Sequence, residues 1–549
     1  MPDMRICVVS PLLGPALAAQ GHEVVALWPA EPLFDLEAEL AGRGFVPELI
    51  LQQESLGQRV LLRGLTRFAC PKVFWSLDTH LNLFWQCCYF RLFDGVLTPH
   101  GSLLQKAAPD LEQAVGRMAM FAPERPWRPF AKRPRGVGFV GRLTEHRPAR
   151  RWLTEFLAER YGGELAQNLS FPQMLDFYQD TRLAPNESLL GEVNFRLMET
   201  AGCGCLVFSQ DVGPDQDTLF TRGAEVETYA NVLELRALLD HYHSRPEEAE
   251  RLGRAAWERV GREHLLRHRA AHVVDFAQGL APAAARGAMA EAAYWLSLAR
   301  LARAGMLAAD AQALDNALAQ LPALPEVLAE RLTLAVESGR AADALALARQ
   351  VLAEDAHPGD LDVGLAGSMT GVLLEDWGLA RSFWLRRQEA GRKAGGRAPL
   401  PADPARLCLA WAGELAQAER AGSAGFPFDP AAHLPKAAVE CLYLAQRLAP
   451  DDLDITRRLA AMTSTLRGHD YARLGHLSTL ALHNPGDWRT GLQLGMAGLK
   501  NCRLEAGLAD LAQALEHARA QGKEAAFFGA LAALDPAGHV LAALLGRRA

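Results

Sequence analysis

Short apolar runs broken by polar, glycine-punctuated turns fill the first half of the chain, and helix-period apolar positions fill the second. Arg5–Ser10 reads as a buried strand, Pro11–Gln20 as a helix stopped by Gly21, and Glu23–Leu27 as the next strand. This is the βαβ opening of a parallel sheet. Glu48–Gln52, Lys72–Ser76 and Asp94–Thr98 read as further strands, the last followed by Pro99-His100-Gly101 and a helix. Pro123–Pro134 is rich in proline and arginine. Its prolines forbid a regular helix, so it reads as a linker. A fresh strand starts at Gly136–Arg142, with helices at Ala149–Tyr161 and Phe171–Tyr178. A helix carrying Asn194, Arg196 and Glu199 then runs through the turn Gly202-Cys203-Gly204 into strand Cys205–Ser209. Val226–Tyr229 is the last strand, and helices Leu233–His243 and Pro246–Glu263 close this part.

Near residue 280 the pattern changes. Alanine and leucine dominate, helix periodicity is strong and strand patterns vanish. Helix ends recur with proline at Pro358, Pro450 and Pro485, and the last two are spaced close to the ~34-residue tetratricopeptide period. Ala346–Asp355 resembles the second helix of such a repeat, and the loops Gly391–Pro404 and Gly422–Pro435 interrupt the array. A generic helical bundle is the alternative. The expected fold class is therefore α/β plus α. Two Rossmann-like domains, 1–125 and 126–278, precede an all-α, tetratricopeptide-like domain at 279–549.

Composition narrows the function classes. The chain of 549 residues is 50% hydrophobic and 22% charged, with a net charge of −7, so no global basic field recruits nucleic acid or an anionic membrane. No window is apolar enough for a transmembrane helix. Ile6–Ala19 is interrupted by Pro11, Gly14 and Pro15 and continues into a strand, unlike an export signal. The nine scattered cysteines show no zinc spacing, and an odd count favours a reducing cytoplasm. His241 and His243 lack a metal partner in the sequence, so no metal site or resident cofactor is expected. Trp75, Phe84 and Trp85 read as core before sugar platforms, and Cys87–Cys88 as packing before redox chemistry.

Arg196 and Glu199 are three apart and share a helix face. A cation can meet a diphosphate, and a carboxylate can accept hydrogen bonds from ribose hydroxyls. Five segments together resemble the GT-B glycosyltransferases, in particular the CgeB-type spore-protein enzymes and their family-4-like relatives. These are Val73-Phe-Trp-Ser-Leu-Asp78, Phe93–Thr98, Val137–Gly141, Asn194-Phe-Arg196-x-x-Glu199 with Gly202–Phe208, and Arg262-Glu-His264-x-x-x-His268-Arg269. They occur in the expected order over residues 1–275, and the helical half lies outside the resemblance.

The resemblance implies a nucleoside-diphosphate sugar held mainly by the second domain and an acceptor over the first. Glu199 would hold the ribose. Arg142 and Arg196 would neutralise the diphosphate without a metal. Asn194, Gly202, Cys203 and Gly204 would line the same pocket. Three places depart from the family pattern, the first being a shortened glycine-rich turn, since Pro11-Leu-Leu-Gly14 is all that follows the first strand. Gly191 stands where family-4-like enzymes often carry a second glutamate, with Glu192 one position away. The usual Arg…Lys pair is replaced by Arg142 with Arg147, Arg150 or Arg151. An inverting reaction needs a general base, for which Asp78, then His80 and His100, follow strands of the first domain. The helical repeats, with an extended groove suited to polypeptide, point to a protein acceptor such as a surface or flagellar protein, with a polysaccharide or lipid-linked acceptor as the alternative. A non-catalytic scaffold with a degenerate sugar-binding module is the competing reading; an epimerase or phosphorylase has less support.

Overall fold

The computed structural model describes residues 4–145, 147–188, 190–390, 400–422 and 424–546. The part of the predicted Gly391–Pro404 loop at 391–399 lies outside them. Thirteen strands occur in chain order: β1 Arg5–Val9, β2 Glu23–Leu27, β3 Leu33–Asp35, β4 Leu49–Gln53, β5 Leu61–Arg63, β6 Lys72–Trp75, β7 Gly95–Thr98, β8 Ala114–Arg117, β9 Arg135–Val140, β10 Glu164–Ala166, β11 Thr181–Asn186, β12 Leu206–Gln210 and β13 Glu227–Tyr229. All recorded pairings are parallel. Parallel strands are joined by crossovers, which puts helices on the sheet faces and explains the continuous apolar runs of β1, β4 and β6.

The first sheet has six strands in the order β2-β1-β4-β6-β7-β8, with β3 and β5 as a separate pair. The second has five, in the order β10-β9-β11-β12-β13. Both are doubly wound, with the strand order reversing next to their first strand. The crevice at the carboxyl ends of the strands at such a switch point is where ligands bind in open α/β sheets. In the second sheet that point lies between β9 and β11. Their recorded pairs end at Leu183↔Val137, while β11 pairs with β12 through Asn186↔Ser209. Pro185 comes next in the alternation and has no N–H to extend the ladder toward β9.

Every described element after residue 279 is helical. These helices divide between two compact units. One comprises residues 1–118 and 270–455, the other 119–269 and 456–549. In the first unit, helix Gly287–Arg303 buries Ala292, Leu296 and Leu298 in one core with Leu83, Trp85 and Tyr89. Glu330, wholly buried, is bound there by Arg300, Arg303 and Lys436. Burial alone would raise its carboxyl, but the three cations hold it well below the usual range. In the second unit, Trp488, Leu492, Met496 and Leu499 share a core with Phe208, Val232, Leu233 and Leu239.

Residues 123–134, read as a linker, form only a short 3-10 turn at Phe130–Lys132 and are tightly fastened. Arg125 binds Asp176 and Gln179, Arg128 binds Asp180, and Trp127 lies against Phe130 and Trp257.

Candidate functional site

In the second sheet, Arg196 lies across the switch point. Asn194 is the N-cap of helix Phe195–Gly202, its Oδ1 accepting from the Leu197 amide. Its Nδ2 donates to the Glu187 carbonyl at 3.0 Å. Asn194 thus caps the helix and fastens the loop that follows β11. One residue into the helix, Arg196 Nε donates to the carbonyl of Val140, the last residue of β9, at 3.1 Å. Its Nη1 donates to Asn186 Oδ1 and to the Glu187 carbonyl, both at 3.2 Å. The guanidinium stacks on Phe139 at 4.4 Å. It therefore occupies the position where the β9–β11 ladder stops. A Cβ on Gly141 would stand 3.1 Å from Nη2, so the glycine leaves that nitrogen space.

Glu199 is half-buried on the next turn and makes no hydrogen bond among the described residues. Burial pushes its carboxyl up to about 7, against the opposing pull of Arg196. Both of its oxygens are therefore open to a further donor. Glu192, one position from the family's expected glutamate, is also pushed up to about 7 by burial and accepts from the Leu190 amide at 2.7 Å. It feels both Glu187 and Arg196, so the loop carries a second carboxyl close to the same cation.

The three arginines considered beside Arg142 have different surroundings. Arg150 is buried and donates Nε and Nη2 to Glu187 Oε2 at 2.9 and 2.7 Å. Its Nη1 reaches the Arg142 carbonyl at 3.2 Å. It is a strut between β9 and β11, not an open cation. Arg147 precedes helix Pro148–Tyr161, and Arg151 is exposed on its first turn. Arg142 is exposed just beyond β9, with no side-chain hydrogen bond among the described residues.

Gly202, Cys203 and Gly204 do not join this crevice. The helix preceding a parallel strand runs back to the sheet's other edge, and these residues end it there. A Cβ on Gly202 would stand 2.7 Å from the Pro123 carbonyl, and one on Gly204 2.8 Å from the Trp127 ring. Cys203 Sγ faces the Leu175 carbonyl at 3.5 Å. Gly202 and Gly204 pack closely against the 123–133 segment, and Cys203 against the helix that carries Leu175. The closing helices pack similarly: Arg269 donates to the carbonyls of Ala119, Met120 and Glu263, and His264 Nε2 contacts the Leu219 carbonyl at 3.0 Å.

In the first sheet, Asp78, His80 and His100 gather at the carboxyl ends of β6 and β7. The His80 and His100 rings lie 4.8 Å apart. Burial, reinforced by His100, lowers His80 to about 3, so its ring is neutral. Asp78 is half-buried, its carboxylate makes no hydrogen bond among the described residues, and burial raises its pKa. The residue that organises them, Glu54, was not read from the sequence. It is buried at the end of β4 and accepts from the Leu77 and Asp78 amides at 2.6 and 2.8 Å and from Asn82 Nδ2 at 2.7 Å. Burial pushes it up to about 7 despite those donors. From the helical half, the Ala424 carbonyl accepts the Phe84 amide at 2.7 Å, on the helix that carries His80. Trp75, Phe84 and Trp85 lie in the core.

Both sheets are doubly wound, and an arginine and a carboxylate share the helix that follows the switch point of the second. Residues 133–275 match the glycosyl transferase-like family, so the second sheet and its closing helices form a glycosyl transferase-like domain. Similar solved structures include sucrose-phosphate synthase from Thermosynechococcus elongatus, at 11% identity over 50% of this chain and 98% of that one, with a TM-score of 0.37. A Rickettsia africae glycosyltransferase aligns at 9% identity over 51% and 98%, TM-score 0.36. Anabaena HepE, solved with UDP and glucose, aligns at 12% over 51% and 100%, TM-score 0.35. No curated protein matches the sequence. Among the described residues no three His, Cys, Asp or Glu converge as metal ligands, and no helix is long and apolar enough to cross a membrane.

Proposed function

We propose that the chain transfers a sugar from a nucleoside-diphosphate sugar to an acceptor hydroxyl. The observation that carries this is the seat of Arg196 across the β9–β11 switch point with the unbonded Glu199 one turn on. Glu199 accepts the ribose hydroxyls. Arg196, through its open Nη2, and Arg142 take the charge that develops on the diphosphate as the anomeric C–O bond breaks, so cationic side chains do the work a metal does elsewhere. Asn194 holds the loop on which Arg196 depends. On the first sheet Asp78 removes the acceptor proton if the reaction inverts; burial raises its pKa toward that of a useful base. The neutral His80 is the second choice, with His100 behind it.

The acceptor in this reading is a protein, recruited in the cytoplasm by the tetratricopeptide-like helix pairs, such as Pro325–Glu337 with Ala341–Ala353. The departure at Gly191, with Arg150 engaged by Glu187, is what a non-catalytic scaffold would also carry. A thermal-shift panel of UDP, GDP, CDP, dTDP and their sugars separates the two. A ligand at ~100 times its dissociation constant adds about 2.7 kcal/mol to stability. One nucleotide class should raise the melting temperature in wild type and not in Glu199→Ala. No shift with any member would refute the donor site and favour the scaffold.

A further inference from the structure

Arg467 is remote in sequence from the glycosyl transferase-like segment. It sits in the turn between helices Leu453–Thr463 and Asp470–His483, in the same compact unit as the second sheet. Its side chain is laid across two loops of that sheet. Its Cβ, Cγ and Cδ pass 3.0–3.3 Å from where a Cβ on Gly191 would stand, and its Nη2 lies 2.6 Å from the corresponding point at Gly213. Both glycines have positive φ, +68° and +84°. The next residue, Gly468, presses on Leu190, where a Cβ would come 2.9 Å from the Leu190 Cα. Gly191 and Gly213 thus clear a channel for the Arg467 side chain, and Gly468 lets the turn that carries it close on Leu190.

The channel delivers the guanidinium to the carboxyl-end edge of the sheet. Gly191 precedes Glu192 in the loop after β11, and Gly213 follows the end of β12. Gln210 joins the two loops by accepting the Ser188 amide at 3.1 Å. Arg196 donates to the Glu187 carbonyl just after β11, and the Arg467 stem lies against Gly191 a few residues on. The Arg467 head makes no hydrogen bond or ion pair among the described residues. Its charge acts on Asp211, but both oxygens of that carboxylate are already engaged by Arg222, at 2.7 and 2.9 Å, and one also by the Gly213 amide. Arg467 is an exposed residue, yet its stem lies against both glycine loops, and holding it there costs rotamer entropy that an exposed charge alone does not recover. A planar fork of open donors held beside a crevice fits a phosphate.

We propose that Arg467 is a third donor-site cation, reaching the diphosphate of the nucleotide sugar from the helical half. This rests on the glycosyltransferase reading above, and the test separates the two. Calorimetric titration of the full chain first finds which of UDP, GDP, CDP and dTDP binds. The diphosphate, monophosphate and free nucleoside of that base are then titrated into wild type, Arg467→Ala, Arg467→Lys and Glu199→Ala. Arg467→Ala should weaken the diphosphate by about tenfold, the scale of one hydrogen bond to a charged group, and leave the nucleoside unchanged. Arg467→Lys should recover part of the loss. Glu199→Ala should weaken all three ligands. If Arg467→Ala binds the diphosphate as wild type does, or weakens nucleoside and diphosphate alike, the assignment is overturned while the donor reading stands. If wild type binds no member, both fall.

Discussion

Arg150 and Glu187 make the strongest quantitative prediction. Their side chains are only 7% and 5% exposed, and the two hydrogen bonds between them converge on one carboxylate oxygen. The other, Glu187 Oε1, is buried without a hydrogen-bond partner. Arg150→Met would strand a buried carboxylate, for which the expected cost is about 3–5 kcal/mol. The pair is itself imperfect because Oε1 is unsatisfied. Replacing both partners with apolar side chains of similar size, Arg150→Met with Glu187→Leu, should therefore recover most of the loss, to within about 1 kcal/mol of wild type. Hydrogen exchange of peptides covering 135–142 and 181–188 reads the local opening energy directly. The double variant should also bind nucleotide with wild-type affinity, because Arg150 holds strands and not phosphate. A single variant within ~1 kcal/mol of wild type, or a double variant as unstable as the single one, would refute the reasoning.

Three further outcomes follow from the geometry. Glu199, pushed up to about 7, is neutral below that pH, and its ionised form accepts ribose hydroxyls better. Affinity for a nucleotide sugar, whose diphosphate does not titrate near neutrality, should therefore rise as pH goes from 6 to 8, by up to about tenfold per unit below 7, and Glu199→Gln should flatten the profile. Glu54→Gln cannot satisfy its surroundings, since Glu54 accepts on both oxygens and the Asn82 Oδ1 is already taken by Arg59 and Trp85. Denaturation should show a loss of about 1–3 kcal/mol, and an unchanged midpoint would count against Glu54 as the organiser of the Asp78 turn. Removal of residues 456–549 should yield insoluble protein, because it uncovers the apolar side chains of Val232, Leu233 and Leu239; a soluble, cooperatively melting product would contradict this.

What could be read from the chain was what local pattern determines. The strands of the first sheet with continuous apolar runs, β1, β2, β4, β6 and β7, and the helix around Arg196 were visible as runs and periodicities. β11 was not. Thr181-Arg-Leu-Ala-Pro-Asn186 carries an arginine and a proline that break the apolar run, so no strand is read there, yet its neighbours on both sides make it a central strand. The strand read at Glu48–Gln52 stops short of Gln53 and Glu54, polar residues with no apolar pattern to mark them, yet tertiary packing buries both. That Arg196 and Glu199 share one helix was legible because a three-residue helical offset is a local fact. The packing role of Gly202 and Gly204 was not, because it depends on Pro123 and Trp127, some eighty residues earlier in the chain. Arg467 depends on loops still farther away, and no spacing rule reaches it.

The division of the helical half has a consequence for how the protein is made. The ribosome releases all five strands of the second sheet by Tyr229, but the core beneath them also needs Trp488, Leu531 and Val540. Hundreds of residues must still be translated before that surface is covered, at about 5–20 residues per second. The first sheet waits in the same way for residues beyond 287. The nascent chain therefore carries two half-finished cores at once, and neither can be completed in the order in which it is synthesised. Its exposed apolar faces make the unfinished chain aggregation-prone, and late-placed stop codons should be far more damaging than the distance from the second sheet in sequence implies.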